Sequence, residues 1–98
     1  MSEAAEAEAS LTRDAARREA FLEMMLAERG ASPNTIAGYT RDLDHFSAFL
    51  GRRQRRLDDA RTVDVRAYLA RLADAKMAAS TAARRLSALR QFYRFQFG

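Results

Sequence analysis

The amino-acid sequence predicts an all-α protein built as a compact bundle of four helices. Three observations predict it. Apolar residues recur at i, i+3 and i+4 in stretches that open near Asp14, Ser32, Thr62 and Ser80. The first two stretches run into a glycine, Gly30 and Gly51. No segment alternates with period two over a useful length, so no sheet is expected. The 98 residues are 48% hydrophobic, which is enough for one core and too much for a disordered chain.

The elements follow in order. Residues 1–12 are Ala, Glu and Ser with one Leu, and read as a flexible acidic tail fraying into the first helix. The folded domain is then 13–98. Asp14 is a cap for a helix to about Arg29, ended by Gly30, with Phe21, Leu22, Met25 and Leu26 on its apolar side. Ser32-Pro33 opens the second helix, because Ser supplies a cap oxygen and Pro needs no N–H at the first helical position. Ile36, Tyr39, Leu43, Phe46 and Leu50 form its inner stripe, and Gly51 closes it as a left-handed residue. Residues 52–61 form a charged loop. Thr62 caps a third helix, with Asp64 near its positive dipole end and Val65, Tyr68, Leu69 and Leu72 facing inward to about Ala75 or Lys76. After a connection at Met77–Ala79, Ser80 or Thr81 caps the last helix. Its inner stripe is Ala82, Leu86, Leu89, Tyr93 and Phe97, and its outer face is Ser80, Arg84, Ser87, Ala88 and Gln91. Phe95 points away from that inner stripe.

Several function classes drop out. Without cysteine there is no disulfide or thiolate metal site, and one histidine, His45, cannot make a multi-histidine cluster. No apolar run approaches the ~20 residues of a membrane helix. Met1–Ser10 has neither the basic start nor the apolar centre of a secretory signal, so a soluble cytoplasmic protein with no membrane partner is expected. No Gly-rich phosphate loop, paired-carboxylate arrangement or metal-ligand spacing occurs, so neither cofactor nor metal is expected, and no catalysis by this chain alone. Tyr39, Tyr68 and Tyr93 read as core tyrosines with their hydroxyls at the rim.

Charge is unevenly placed. Residues 1–31 carry a net −3 and residues 32–98 a net +7. Sixteen of the 17 basic residues are Arg, which GC-rich coding explains in large part but which also suits forked bonds to phosphate and guanine. The outer face of the last helix is smooth and basic, so it can lie against a phosphate backbone and reach base edges. Its candidates for contact with double-stranded DNA are Thr81, Arg84, Arg85, Ser87 and Gln91. Arg90 stands at the edge, nearer the core, where pairing with an acid or capping a neighbouring helix competes. Ser32, Asn34 and Thr35 form a second candidate set, because a helix N-terminus attracts a phosphate; simple capping is the competing role for Ser32. Asn34, Arg41 and His45 share the face opposite the apolar stripe, where Asn34 and Arg41 are further candidates for contact with a DNA groove, simple solvation being the competing role and the one expected for His45. Arg52, Arg53, Arg55 and Arg56 form a basic run that is either a phosphate clamp or a solvated loop.

Two of these helices together resemble the N-terminal core-binding domain of tyrosine recombinases of the phage-integrase and Xer type. The second carries Ser32, Asn34, Thr35, Tyr39, Asp42, Leu43, Phe46, Phe49 and Leu50, matching S-x-N-T, then Y, D-L and F-x-x-F-L. The fourth carries Arg84, Leu86, Ser87, Ala88, Leu89, Arg90, Phe92 and Tyr93, matching R-x-L-S-A-L-R-x-F-Y. The match spans roughly 18–98. It departs at Lys76, where many relatives have Gly, and the acidic tail has no counterpart in it.

The resemblance implies a four-helix, SAM-like orthogonal bundle that forms half of a clamp around DNA. It implies as partners duplex DNA, the chain's own C-terminal catalytic domain and other recombinase protomers. That catalytic domain would hold the arginines, histidine and nucleophilic tyrosine that exchange strands, and it lies outside this chain. Compactness tilts the reading to the Xer type, which resolves chromosome dimers, over a phage or mobile-element integrase. Two readings of other classes compete. One is a helical protein-interaction domain binding through a groove at Phe95 and Phe97. The other is a helix-turn-helix repressor, for which the helix before Met77–Ala79 is too long.

Overall fold

A computed structural model describes residues 2–97; Met1 and Gly98, at the ends of the expected tail and domain, lie outside the described residues. Four helices, α1 (Glu3–Ala27), α2 (Pro33–Arg52), α3 (Thr62–Asp74) and α4 (Ala79–Phe97), pack around one core, with a single 3-10 turn at Leu57–Asp59 between α2 and α3. The described residues contain no strand. The all-α, four-helix expectation holds.

α2 is the helix the pattern anticipated best. The Ser32 hydroxyl accepts the Thr35 N–H at 3.1 Å and Pro33 takes the first helical position. Leu43, Phe46 and Leu50 are fully buried, with Phe49 beside them. Gly51, however, lies inside the helix. The left-handed residue is Gln54 (φ 59°), and the exit is a Schellman turn in which Arg55 N–H bonds Leu50 C=O at 2.9 Å and Gln54 N–H bonds Gly51 C=O at 3.1 Å.

α1 starts far earlier than expected. Ser2 caps it by accepting the Ala5 N–H at 3.2 Å, so residues 3–12 are helix, carried by the high propensity of Ala and Glu rather than by an apolar stripe. Asp14 is therefore no cap. It is buried mid-helix, and its carboxylate accepts the Leu57 and Asp58 N–H groups at 2.7 and 3.2 Å. Leu57 is itself buried and its carbonyl accepts the Tyr93 hydroxyl at 2.8 Å, so the loop after α2 is pinned to both α1 and α4. Gly30, as expected, is left-handed (φ 62°) beyond the end of α1.

α3 is opened by the backbone at Arg61, not by a Thr62 hydroxyl: Asp64 accepts the Arg61 N–H at 2.9 Å. Tyr68 and Leu72 are buried, but Leu69 is exposed. Lys76 closes α3 in the left-handed conformation (φ 53°), which accounts for a glycine being usual there. In α4 neither Ser80 nor Thr81 is the cap, since the first turn hydrogen-bonds back to Ala78. The buried residues are Ala88, Leu89 and Phe92. Ala88 thus faces inward, and Phe97 is largely exposed, stacked on Tyr93 with ring planes 5° apart. The core is aromatic: Phe21 meets Phe92 edge-on at 5.5 Å, and Tyr68 packs on Phe46 at 4.9 Å and Phe49 at 5.2 Å.

Candidate nucleic-acid interface

The packing of α4 on α2 leaves a groove of about 370 Å³ between their outer faces, lined by Asn34, Thr35, Gly38, Tyr39, Arg41 and Arg84. Its position follows from local chemistry. α2 begins at one end of it, so the positive dipole end of that helix lies there. Gly38 forms part of the floor, and a Cβ added to it would meet nothing within 4 Å. Asn34, Thr35 and Arg41 are exposed along the rim, and Ser32 adjoins them with its hydroxyl 3.0 Å from that of Thr35.

Arg84 enters from α4, held by Asp42. Asp42 is 1% exposed, and its two oxygens accept from Arg84 Nε at 3.2 Å and Nη2 at 3.0 Å. That forked bond raises the guanidinium pKa above its ordinary value and fixes the plane of the fork. A guanidinium has five N–H donors, and this bond engages only two. The Arg84 side chain is half exposed, so its remaining donors are oriented and accessible. The same carboxylate lies 3.8 Å from Arg85 Nε.

Arg85, Ser87, Ala88 and Gln91 of the expected α4 face turn toward the neighbouring helices. Arg85 is mostly buried; its Nη1 lies 3.1 Å from both ring nitrogens of His45, and its Nε has no hydrogen-bond partner. His45 is not solvated but half buried, with Nδ1 2.7 Å from the Tyr68 hydroxyl. Burial, then the charges of Arg85, Arg52 and Arg71, lower its pKa. Gln91 donates to the Tyr39 hydroxyl at 2.9 Å and to Ser87 Oγ at 3.3 Å, so both amide and hydroxyl belong to the seam between helices. Thr81 is half buried at the start of α4. Arg90 is exposed and makes no ion pair among the described residues, so neither a core-boundary position nor pairing with an acid holds there.

The basic run after α2 divides. Asp64, 1% exposed, accepts from Arg53 Nε at 2.9 Å and lies 3.5 Å from Arg55 Nε. The Arg53 bond first, then the Arg61 N–H, holds its carboxyl below the ordinary carboxylate range. Arg53 also lies 5.7 Å over the Phe49 ring. Arg52 projects from the same stripe of α2 as Arg41 and His45.

The sequence reading gave no role in the site to Gly38 or to the buried anchors Asp42 and Asp64. The one signal available for Asp42 was its place beside Leu43, next to the apolar stripe, where a carboxylate needs a cationic partner from another helix. No group of three or more His, Cys, Asp or Glu side chains among the described residues is arranged to hold a metal ion. No described helix is long and apolar enough to cross a membrane.

Comparison with known proteins points the same way. Residues 19–97 match the family described as phage integrase, N-terminal SAM-like domain. The chain is 55% identical over 85 residues to "Tyrosine recombinase XerD" of Agrobacterium fabrum (strain C58 / ATCC 33970), covering 87% of the chain and 26% of that protein. It is 55% identical over 83 residues to the protein of the same name from Rhizobium meliloti (strain 1021), covering 85% of the chain and 27% of the relative. For that of Caulobacter vibrioides the identity is 46% over 80 residues, with 82% and 26% covered. The chain thus spans about a quarter of the length of the curated relatives it matches. No solved structure matches it.

Proposed function

The chain belongs to the phage integrase N-terminal SAM-like domain family, and from that premise we propose that it is the DNA-gripping domain of a XerD-type tyrosine recombinase. The observation that carries the reading is the groove in which Arg41 and the half-used fork of Arg84 converge beside the N-terminus of α2. A phosphate seated there receives the unengaged guanidinium donors and the helix dipole together. Side chains on the exposed rim, Asn34 and Thr35, are of the types that read base edges or secure the sugar–phosphate chain. Ser32 contributes chiefly as the cap that fixes where α2 begins. Ser87, Gln91 and Arg85 act behind the surface, by fixing Tyr39, His45 and the approach of α4.

In this reading the partners are duplex DNA, a catalytic domain of the same protein that cuts and rejoins strands, and further recombinase protomers assembled on the site. The working compartment is the cytoplasm, and the biological outcome is the separation of joined chromosomes. The XerD names of the relatives favour this over a phage or mobile-element integrase.

Backbone NMR of the chain titrated with a 30-bp duplex tests the proposal. At 50 mM salt the expected shifts fall on Asn34, Thr35, Gly38, Arg41, Thr81 and Arg84, and at 200 mM salt they fade, as counterion release requires. Shifts confined to the Phe95 and Phe97 end of α4, or none at low salt, would overturn it.

A further inference from the structure

Beyond the groove, a second cationic cluster surrounds His45 on the adjoining face. Arg52 lies on the His45 stripe of α2, two turns on. Arg71 lies one turn on from Tyr68 on α3, and the Tyr68 hydroxyl touches the His45 ring. Arg85 reaches the same ring from α4. The charged and titratable groups facing His45 are therefore Asp42 and Arg52 from α2, Tyr68 and Arg71 from α3, and Arg85 from α4. Asp42 is the single carboxylate among them, and its oxygens already hold the fork of Arg84. Neither Arg52 nor Arg71 makes an ion pair among the described residues, and both are exposed. Three guanidinium groups from three helices thus gather around one carboxylate that already serves Arg84 and Arg85, and the outer two, Arg52 and Arg71, have no anion of their own among the described residues.

We infer that the Arg52, Arg71 and Arg85 cluster around His45 is a second seat for a DNA phosphate, carrying the backbone from α2 across to α3. This rests on the duplex-binding reading above and adds to it a region, α3, that the family motifs leave out. Arg41 and Arg52 are 11 residues apart, about 16 Å along α2, so the seat and the groove are separate contacts on one side of the molecule. Arg85 is the inner, positioning member, and Arg52 and Arg71 are the outer ones that meet the phosphate.

The seat has a signature that a merely solvated basic face lacks. In the free chain, burial and three arginines disfavour the His45 proton. A phosphate among those arginines offsets their charge and restores the proton's affinity. The bound form then holds more protons than the free form, so affinity rises as pH falls through the window between the two pKa values.

The experiment measures affinity for a 30-bp mixed-sequence duplex by fluorescence anisotropy, from 50 to 200 mM salt and from pH 8 to 6. The double variant Arg52→Gln, Arg71→Gln should bind severalfold more weakly, with a salt slope reduced by roughly 1 per arginine. The unmodified chain should bind more tightly at pH 6 than at pH 8, and His45→Gln should show no such gain. An unchanged slope in the double variant, with the unmodified chain binding normally, overturns the seat and leaves the groove standing. Failure of the unmodified chain to bind at 50 mM salt overturns the duplex-binding reading itself. If the double variant melts early, the His45 ring signals of the unmodified chain decide: movement toward the protonated form on adding duplex supports the seat, and no movement overturns it.

Discussion

The loop that follows α2 and the groove between α2 and α4 each gather arginines around a buried aspartate. In the loop, Asp64 receives Arg53, Arg55 and the Arg61 N–H, so both its oxygens are engaged and the two arginines fold back toward α3. In the groove, Asp42 takes the fork of Arg84 at one edge and leaves Arg41 without an ion pair among the described residues. The first arrangement closes α2 onto α3. The second holds a guanidinium still while leaving donors exposed. A count of basic residues ranks the loop above the groove, and the placement of two carboxylates reverses that ranking.

The largest effect expected is on the anchor itself. Asp42→Ala removes the carboxylate that Arg84 engages with both oxygens and leaves Arg85 partly buried without its neighbour. Losing these contacts should lower the melting temperature, read by circular dichroism, with the partly buried Arg85 left to find water. It follows that Arg84→Glu is a poor probe of binding, since it sets two carboxylates against each other. Arg41 is the cleaner probe, with an expected stability change within about 0.5 kcal/mol on substitution.

A smaller effect sharpens the contrast from the loop side. Gln54 and Lys76 end α2 and α3 with positive φ, a conformation that disfavours side chains with a Cβ. Gln54→Gly and Lys76→Gly should each raise stability by up to about 1 kcal/mol, seen as a higher urea midpoint. Gln54→Gly should not change duplex affinity, because it relaxes a turn and alters no charge. A gain in affinity from Gln54→Gly would mean that loop opening releases Arg53 and Arg55 to bind.

How much was legible in the sequence depended on whether information was local. α2 could be read almost to the residue, because its cap, its Pro33 and its apolar stripe all lie within one segment. The start of α1 could not, because its first turns pack against little and follow propensity instead of a stripe. α4 was read with the wrong rotation, since Ala88 is too small to announce that it is buried. Arg84, Arg41, Asn34 and Thr35 were legible as a candidate site. That Arg85 and Gln91 turn inward was not, because their partners His45, Asp42 and Tyr39 lie on another helix some 40 to 52 residues away.

The claim most in need of a test is that Asp42 leaves its surroundings able to bind phosphate while Asp64 does not. The salt dependence of duplex affinity, compared among the unmodified chain, Arg41→Gln and Arg53→Gln, tests it directly. The account predicts that Arg41→Gln lowers the slope by about 1 and leaves the melting temperature alone, whereas Arg53→Gln lowers the melting temperature and leaves the slope alone. A slope that falls with Arg53→Gln and holds with Arg41→Gln would contradict it.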